Sequence, residues 1–127
     1  MAKPENIFQL RGETSYSQAV ESGPLIHVAG TVSWDDDFNV IGDGDFELQV
    51  ATVYNDIKRT LAAYGLTADS IVKETVFVTG MDAMIAANAV RASFYETTSP
   101  PASTWVEVKR LANSKLAVEV EVIAVRN

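Results

Sequence analysis

The chain has 127 residues with a formal net charge of −7, and its hydrophobic fraction of 47% is typical of one globular domain. It contains no cysteine and a single histidine, His27, which excludes disulfides, thiolate metal sites and histidine-based zinc clusters. The acidic balance opposes binding to nucleic-acid phosphates and anionic membranes, and no apolar run approaches the ~20 residues of a membrane span. We therefore predict a single domain over residues 1–127, cytoplasmic, with neither metal nor cofactor.

Two helices and five strands are predicted along the chain. Apolar residues recur at helical spacing after Asp45, a suitable N-cap, and Gly65 is a suitable residue to end that helix. Asp82 is predicted to cap a second, alanine-rich helix that ends before Pro100. The predicted order is ββαβαββ, with strands at 7–10, 25–32, 71–79, 104–109 and 116–125 and helices at 46–64 and 83–96.

The strand patterns carry information about assembly. Two helices cover one face of such a sheet, yet the strands at 25–32, 71–79 and 116–125 carry apolar residues on both faces. A sheet with one face in water alternates between apolar and polar residues instead. We therefore predict that other copies of the chain cover the second face, which makes the protein a homo-oligomer.

Two features that resemble functional sites have simpler interpretations. The acidic segment that starts at Asp35 lacks the pattern of a calcium loop, because Val40 and Phe46 occupy the positions that require Gly and Glu. We interpret this segment as a solvated turn. His27 cannot readily form a serine triad, because no serine lies in the sequence context of a nucleophile elbow. We interpret His27 as a hydrogen-bonded strand residue.

Asn88 lies beside an apolar stripe of the second predicted helix, and a buried amide must find hydrogen-bond partners. One interpretation is that Asn88 ties the helix to a strand backbone. The other is that Asn88 lines a pocket, where Arg91, one turn further on, would offer a cation to an anionic ligand.

Glu119 and Glu121 share one face of the last strand, and this face becomes apolar at Ile123. A carboxylate at such a boundary can acquire a raised pKa and act as a general acid or position a water molecule. The alternative interpretation is a salt bridge at the edge of the sheet.

Several segments between Tyr16 and Val125, taken together, resemble the RidA (YjgF) family of enamine and imine deaminases in order and spacing. The matching segments are 16–20 (YSQAV), 25–30 (LIHVAG), 69–78 (DSIVKETVFV), 84–90 (MIAANAV), 101–106 (PASTWV) and 118–124 (VEVEVIA). The resemblance implies a chorismate mutase-like α+β fold, with two helices on one face of the sheet. It also implies a homotrimer with clefts between the subunits, which agrees with the covered second face.

The resemblance also implies a site. Glu119 matches the family glutamate that positions the hydrolytic water, and Tyr16, Gly30 and Asn88 match positions that line the cleft. Three positions depart from the family pattern. Ser103 replaces the arginine that binds the substrate carboxylate, Ala29 replaces a serine, and the bulky Trp105 lies two residues after Ser103.

Three functions are consistent with this resemblance. The first is a hydrolase of deaminase type for an imine, enamine or related metabolite other than 2-aminoacrylate. In it Glu119 activates water, Tyr16 and Asn88 orient the substrate and Trp105 narrows the cleft, and Arg91 is the candidate to re-supply the missing charge. The second is a non-catalytic trimer that binds a metabolite. The third is an endoribonuclease, the activity assigned to some family members, which a net charge of −7 does not favour.

Overall fold

The computed structural model describes residues 6–12 and 14–127, which form one six-stranded sheet and three α-helices. The strands are β1 (Ile7–Phe8), β2 (Ala19–Ser22), β3 (Leu25–Val32), β4 (Ile71–Val78), β5 (Ala102–Glu107) and β6 (Val118–Val125). The helices are α1 (Phe46–Ala62), α2 (Met81–Ala86) and α3 (Asn88–Phe94), and a 3-10 turn at Ala68–Ser70 precedes β4. The predicted α+β class is confirmed. Among the described residues, no helix has the length and apolar character needed to cross a membrane.

The strands follow the order β1-β2-β3-β6-β4-β5 across the sheet. All neighbouring pairs are antiparallel except β4 and β5, which run parallel. Strand β6 lies between β3 and β4, so that Glu119 pairs with Val32 on one side and Phe77 on the other. Strand β5 is an edge strand that pairs only with β4 among the described residues.

The first difference from the predicted order is β2, a strand that the sequence pattern did not indicate. Only two of the four residues of Ala19–Ser22 are apolar, and the strand forms because it pairs with β3 in a hairpin. Gly23, at a φ of +58°, supplies the turn between β2 and β3.

The second difference is that the helix predicted over 83–96 forms two short helices, with Ala87 between them at a φ of −94° and a ψ of 6°. Asn88, a residue that disfavours helix interiors, follows the break. The N-cap of the first of these helices is Gly80, without a side-chain bond, and Asp82 lies in its first turn. The predicted cap at Asp82 is therefore wrong.

Helix α1 follows its sequence signals closely. The Asp45 side chain accepts a hydrogen bond from the Leu48 amide at 3.1 Å, which confirms the predicted N-cap. Gly65 has a φ of +70° just beyond the helix, as expected for a residue that ends one. Inside the helix, Asp56 is buried and pairs with both Arg11 and Arg59, and so ties the N-terminal segment to α1.

One face of the sheet packs against the helices. Alternate residues of β6 are buried there with those of α1, including Val118, Val120 and Val122. Partners across two strands share a face, so the pairing of Phe77 with Glu119 places both on the opposite face, which we call the open face.

The open face is mixed rather than apolar. A shallow cavity of about 170 Å³ on this face is lined by apolar and polar residues, including His27, Lys73, Thr75, Glu121 and Ile123. The predicted apolar residues on the second face are present: Phe77, Ile123 and Val125 lie on this face, beside polar residues such as Lys73 and Glu121. His27 lies in strand β3, as predicted, with its side chain exposed on this face, and none of the side-chain hydrogen bonds found within residues 6–12 and 14–127 involves it.

The acidic segment forms the exposed turn that was predicted. The Asp35 carboxylate accepts hydrogen bonds from the backbone amides of Asp37 and Asn39, both at 2.9 Å. The bond from Asn39 is the main cause that lowers the pKa of Asp35. The carboxylate therefore stabilises the turn itself.

Candidate functional site

The structure divides the eight predicted site residues into two groups. Four of them line one cavity of about 280 Å³, namely Tyr16, Ala29, Gly30 and Glu119. The other four gather around β5 and α3, namely Asn88, Arg91, Ser103 and Trp105. Within one chain the two groups lie on opposite faces of the sheet, because Ser103 and Trp105 pair with the inward-facing Glu74 and Val76.

The first group is built around the carboxylate of Glu119. Its side chain is half-buried, and burial raises its pKa, with a smaller contribution from the negative charge of Glu121. The predicted rise in pKa is thus confirmed in direction. None of the ion pairs among the described residues involves Glu119, so the alternative of a salt bridge is not what the structure contains.

Gly30 is required for this placement of Glu119. Strand β3 is irregular between Val28 and Thr31, where Ala29 and Gly30 lie. A Cβ atom at Gly30 would lie 2.8 Å from both Cδ and Oε2 of Glu119, which is closer than real Cβ contacts allow. The absence of a side chain at Gly30 therefore lets the carboxylate rest directly against the β3 backbone.

The second group is built around Glu74, a residue of β4 whose side chain is 0% exposed. Its Oε1 accepts hydrogen bonds from the hydroxyls of Tyr54 at 2.7 Å and Tyr95 at 2.8 Å. Its Oε2 accepts from Arg91 Nε and from Ser103 Oγ, both at 2.6 Å, and also contacts Arg91 Nη2. We call these five residues the Glu74 cluster.

Arg91 is held on several sides within the Glu74 cluster. Its guanidinium carbon lies 5.3 Å from the ring centre of Tyr95 and 5.6 Å from that of Trp105. Burial opposes its charge, but the Glu74 carboxylate more than compensates, so the pKa of Arg91 is raised above its usual value. The guanidinium is therefore charged and already neutralised inside the protein.

Asn88 and Trp105 complete the surroundings of this cluster. Asn88 Oδ1 accepts from Arg91 Nη1 at 3.4 Å, and no bond from its side chain to a strand backbone is found among the described residues. The Trp105 indole donates to Ser103 Oγ at 2.9 Å. The Ser103 hydroxyl thus accepts from Trp105 while it donates to Glu74.

Sequence reasoning missed the central residue of this cluster. Glu74 lies in the strongly apolar strand Ile71–Val78, at a position that faces the helices. A negatively charged residue at an inward position of a strand requires a cationic partner. This requirement was the sequence signal that could have identified Glu74 as a site residue. The sequence did not indicate a polar role for Tyr54 or Tyr95 either. Tyr54 belongs to the stripe of apolar residues at helical spacing after Asp45.

Comparisons with known proteins agree with this architecture. A family model described as Endoribonuclease L-PSP matches residues 8–126. A RutC family protein of Synechocystis sp. is 31% identical over 111 residues, which are 87% of this chain and 85% of that protein. The 2-iminobutanoate/2-iminopropanoate deaminase of Salmonella typhimurium is 31% identical over 113 residues, 87% of each chain.

The solved structures show the same similarity. The crystal structure of E. coli TdcF with bound serine matches with a TM-score of 0.85 and 26% identity, and the match covers 95% of this chain and 98% of that one. Both the sequence match over nearly the whole chain and this structural match lead to one conclusion: the chain belongs to the Endoribonuclease L-PSP family, also known as the YjgF or RidA family.

Proposed function

We propose that the protein hydrolyses the C=N bond of a small imine, or of the imine tautomer of an enamine, other than 2-aminoacrylate. The observation that carries this proposal is the half-buried Glu119 carboxylate in the cavity beside Gly30, and burial raises its pKa, which favours uptake of a proton from water. Tyr16 lines the same cavity and offers a hydroxyl to orient a substrate. The relative named as an iminobutanoate and iminopropanoate deaminase supports the reaction class.

The chemistry requires water as the only co-reactant. The water oxygen forms a bond to the imine carbon while the Glu119 carboxylate accepts the proton that this oxygen loses. Glu119 returns this proton to nitrogen, which gives a neutral amino alcohol. The C–N bond then breaks as the hydroxyl proton also passes to nitrogen through Glu119, and a carbonyl compound and ammonia leave. A carboxylate in this role typically contributes 10²–10⁴ in rate.

Release of ammonia from imines generated in situ by an amine or amino-acid oxidase measures this activity. Wild-type protein is expected to accelerate ammonia release from at least one uncharged imine of such a panel. Saturable ligand binding without any turnover would instead support the alternative of a metabolite-binding trimer.

The family description names an endoribonuclease, but the charge of this chain gives that function little support. RNA binding draws its affinity from cations that neutralise phosphates. The net charge of −7 opposes such contacts, and hydrolysis of an uncharged small molecule carries no comparable requirement.

We infer that the cleft forms between copies of a single-domain chain, which assemble as a homotrimer. Two observations support this inference. Glu119 lies on the open face of the sheet, whereas Ser103 and Trp105 lie on the opposite face of the same chain. The edge strand β5 is also largely exposed. Light scattering at micromolar concentration is expected to give about three times the chain mass of 13.8 kDa. A monomer at that concentration would contradict the shared cleft.

The pH dependence of turnover should respond to Glu121. Glu119 must be ionised to accept a proton, so kcat/KM should rise with pH through its raised pKa. Glu121→Gln removes the negative charge about 7 Å along the strand, which lowers the pKa of Glu119. The acid limb of the profile should therefore move to lower pH. Glu47→Gln, an exposed change on α1, should leave the limb where it is.

Gly30→Ala should lower turnover without unfolding the protein. The new Cβ atom would displace the Glu119 carboxylate, and a shift of about 1 Å in a catalytic group can cost about 10²-fold in rate. Gly80→Ala is the matched control, because a Cβ atom there meets nothing within 4 Å. Equal turnover by the two variants would show that the position of Glu119 against Gly30 is unimportant.

A further inference from the structure

The charge balance of the Glu74 cluster bears on which substrates the cleft accepts, and this inference rests on the function proposed above. Each carboxylate oxygen of Glu74 already accepts from two residues, so the cluster has no vacant acceptor position that a cation from outside would satisfy. The carboxylate and the guanidinium of Arg91 together carry no net charge.

Arg91 lies beside Trp105, a candidate cleft residue of β5, and the N–H groups of its guanidinium are occupied. A guanidinium binds a carboxylate most strongly through two parallel N–H groups. In this structure Nε and Nη2 of Arg91 both point at Oε2 of Glu74, and Nη1 points at Asn88. The planar faces lie near Tyr95 and Trp105.

Ser103 is committed to the same arrangement. Its hydroxyl donates to Glu74 and accepts from the Trp105 indole, so its proton is not free to bind an anion. On the other side of the proposed cleft, Glu119 adds a negative charge when ionised, and Glu121 adds a second on the same strand face.

We propose that Glu74 is a specificity-determining residue, an internal carboxylate that occupies the Arg91 guanidinium, so that the cleft accepts uncharged imines and rejects those that bear a carboxylate. A substrate carboxylate would have to displace a fully buried acidic side chain from four hydrogen-bonding residues. An uncharged imine meets no such competition, and the indole of Trp105 and the ring of Tyr16 offer it apolar surface.

The test compares binding of pyruvate, a stable carboxylate probe, to wild type and to Glu74→Gln by titration calorimetry. The variant keeps an oxygen that accepts from the tyrosines but no longer neutralises Arg91. We expect at least tenfold tighter pyruvate binding to Glu74→Gln than to wild type. Equal binding by the two proteins, or tight binding by wild type, would overturn the proposal.

Asp56→Asn provides the matched control. Asp56 is also a buried carboxylate paired with arginine, Arg11 and Arg59, and its replacement changes the net charge by the same single unit. This variant should bind pyruvate no better than wild type does. A gain equal to that of Glu74→Gln would mean that net charge alone, rather than the freed Arg91, attracts the probe, and the proposal would fail.

A second measurement needs no variant and applies even if Glu74→Gln does not fold. Wild type is offered two imines generated in situ, one from isopropylamine and one from alanine, which differ by a methyl group in place of a carboxylate. We expect kcat/KM to be at least tenfold higher for the uncharged imine, and a preference for the imino acid would overturn the proposal. If neither imine is turned over while pyruvate binding still follows Glu74, the proposed function fails and the role of Glu74 stands.

Discussion

Replacing Arg91 with methionine is expected to destabilise the protein by about 3–5 kcal/mol, because the buried Glu74 carboxylate would lose its cation. The side chain of Glu74 is 0% exposed and that of Arg91 is 10% exposed, so water cannot replace the lost partner. Urea unfolding followed by circular dichroism, at one fixed protein concentration, measures the change in the free energy of unfolding.

Two further variants make this result specific. Glu74→Gln combined with Arg91→Met removes both charges and leaves an oxygen for the hydroxyls of Tyr54 and Tyr95, so it should recover a large part of the loss. Arg59→Met removes an arginine that is 42% exposed and should cost no more than about 1 kcal/mol. If Arg91→Met costs as little as Arg59→Met, the buried pair is not the stabilising element that the geometry indicates.

Glu119→Gln is expected to lower turnover of uncharged imines by about 10²–10⁴, because the amide cannot accept the proton of the attacking water. The same change should not destabilise the fold. Burial raises the pKa of Glu119, which means that the folded protein disfavours its ionised form and loses nothing when the charge is removed.

The measurement is ammonia release with Glu119→Gln and, as control, with Glu47→Gln on the exposed first turn of α1. Thermal unfolding of both variants separates a lost reaction from a lost fold. Full activity in Glu119→Gln would remove Glu119 from the mechanism, and the proposed hydrolysis would then need another base.

Local signals in the sequence were sufficient for several elements. The stripe of apolar residues and the cap at Asp45 predicted α1, because helix periodicity and capping depend on residues only three or four apart. Strand β2 could not be predicted in this way, since its pairing with β3 supplies what its own four residues lack.

The candidate site likewise contains residues that the sequence indicated and one residue that only the structure identifies. Alternation in β6 and the family resemblance pointed to Glu119, and the structure brings Tyr16, Ala29 and Gly30 to the same cavity. Helical spacing from Asn88 pointed to Arg91 and the resemblance pointed to Ser103, but neither indicated Glu74, which both residues contact.

The sequence by itself determined the α+β class, the family, the cap of α1 and the raised pKa expected for Glu119. Each of these depends on spacing within one element or on motifs in chain order. Only the tertiary structure decided that Arg91 pairs with Glu74, 17 residues away, and that Ser103, 29 residues from Glu74, completes the cluster. These contacts depend on the break at Ala87 and on the parallel pairing of β4 with β5. No local sequence pattern encodes which charged residues, distant in the chain, will be buried together.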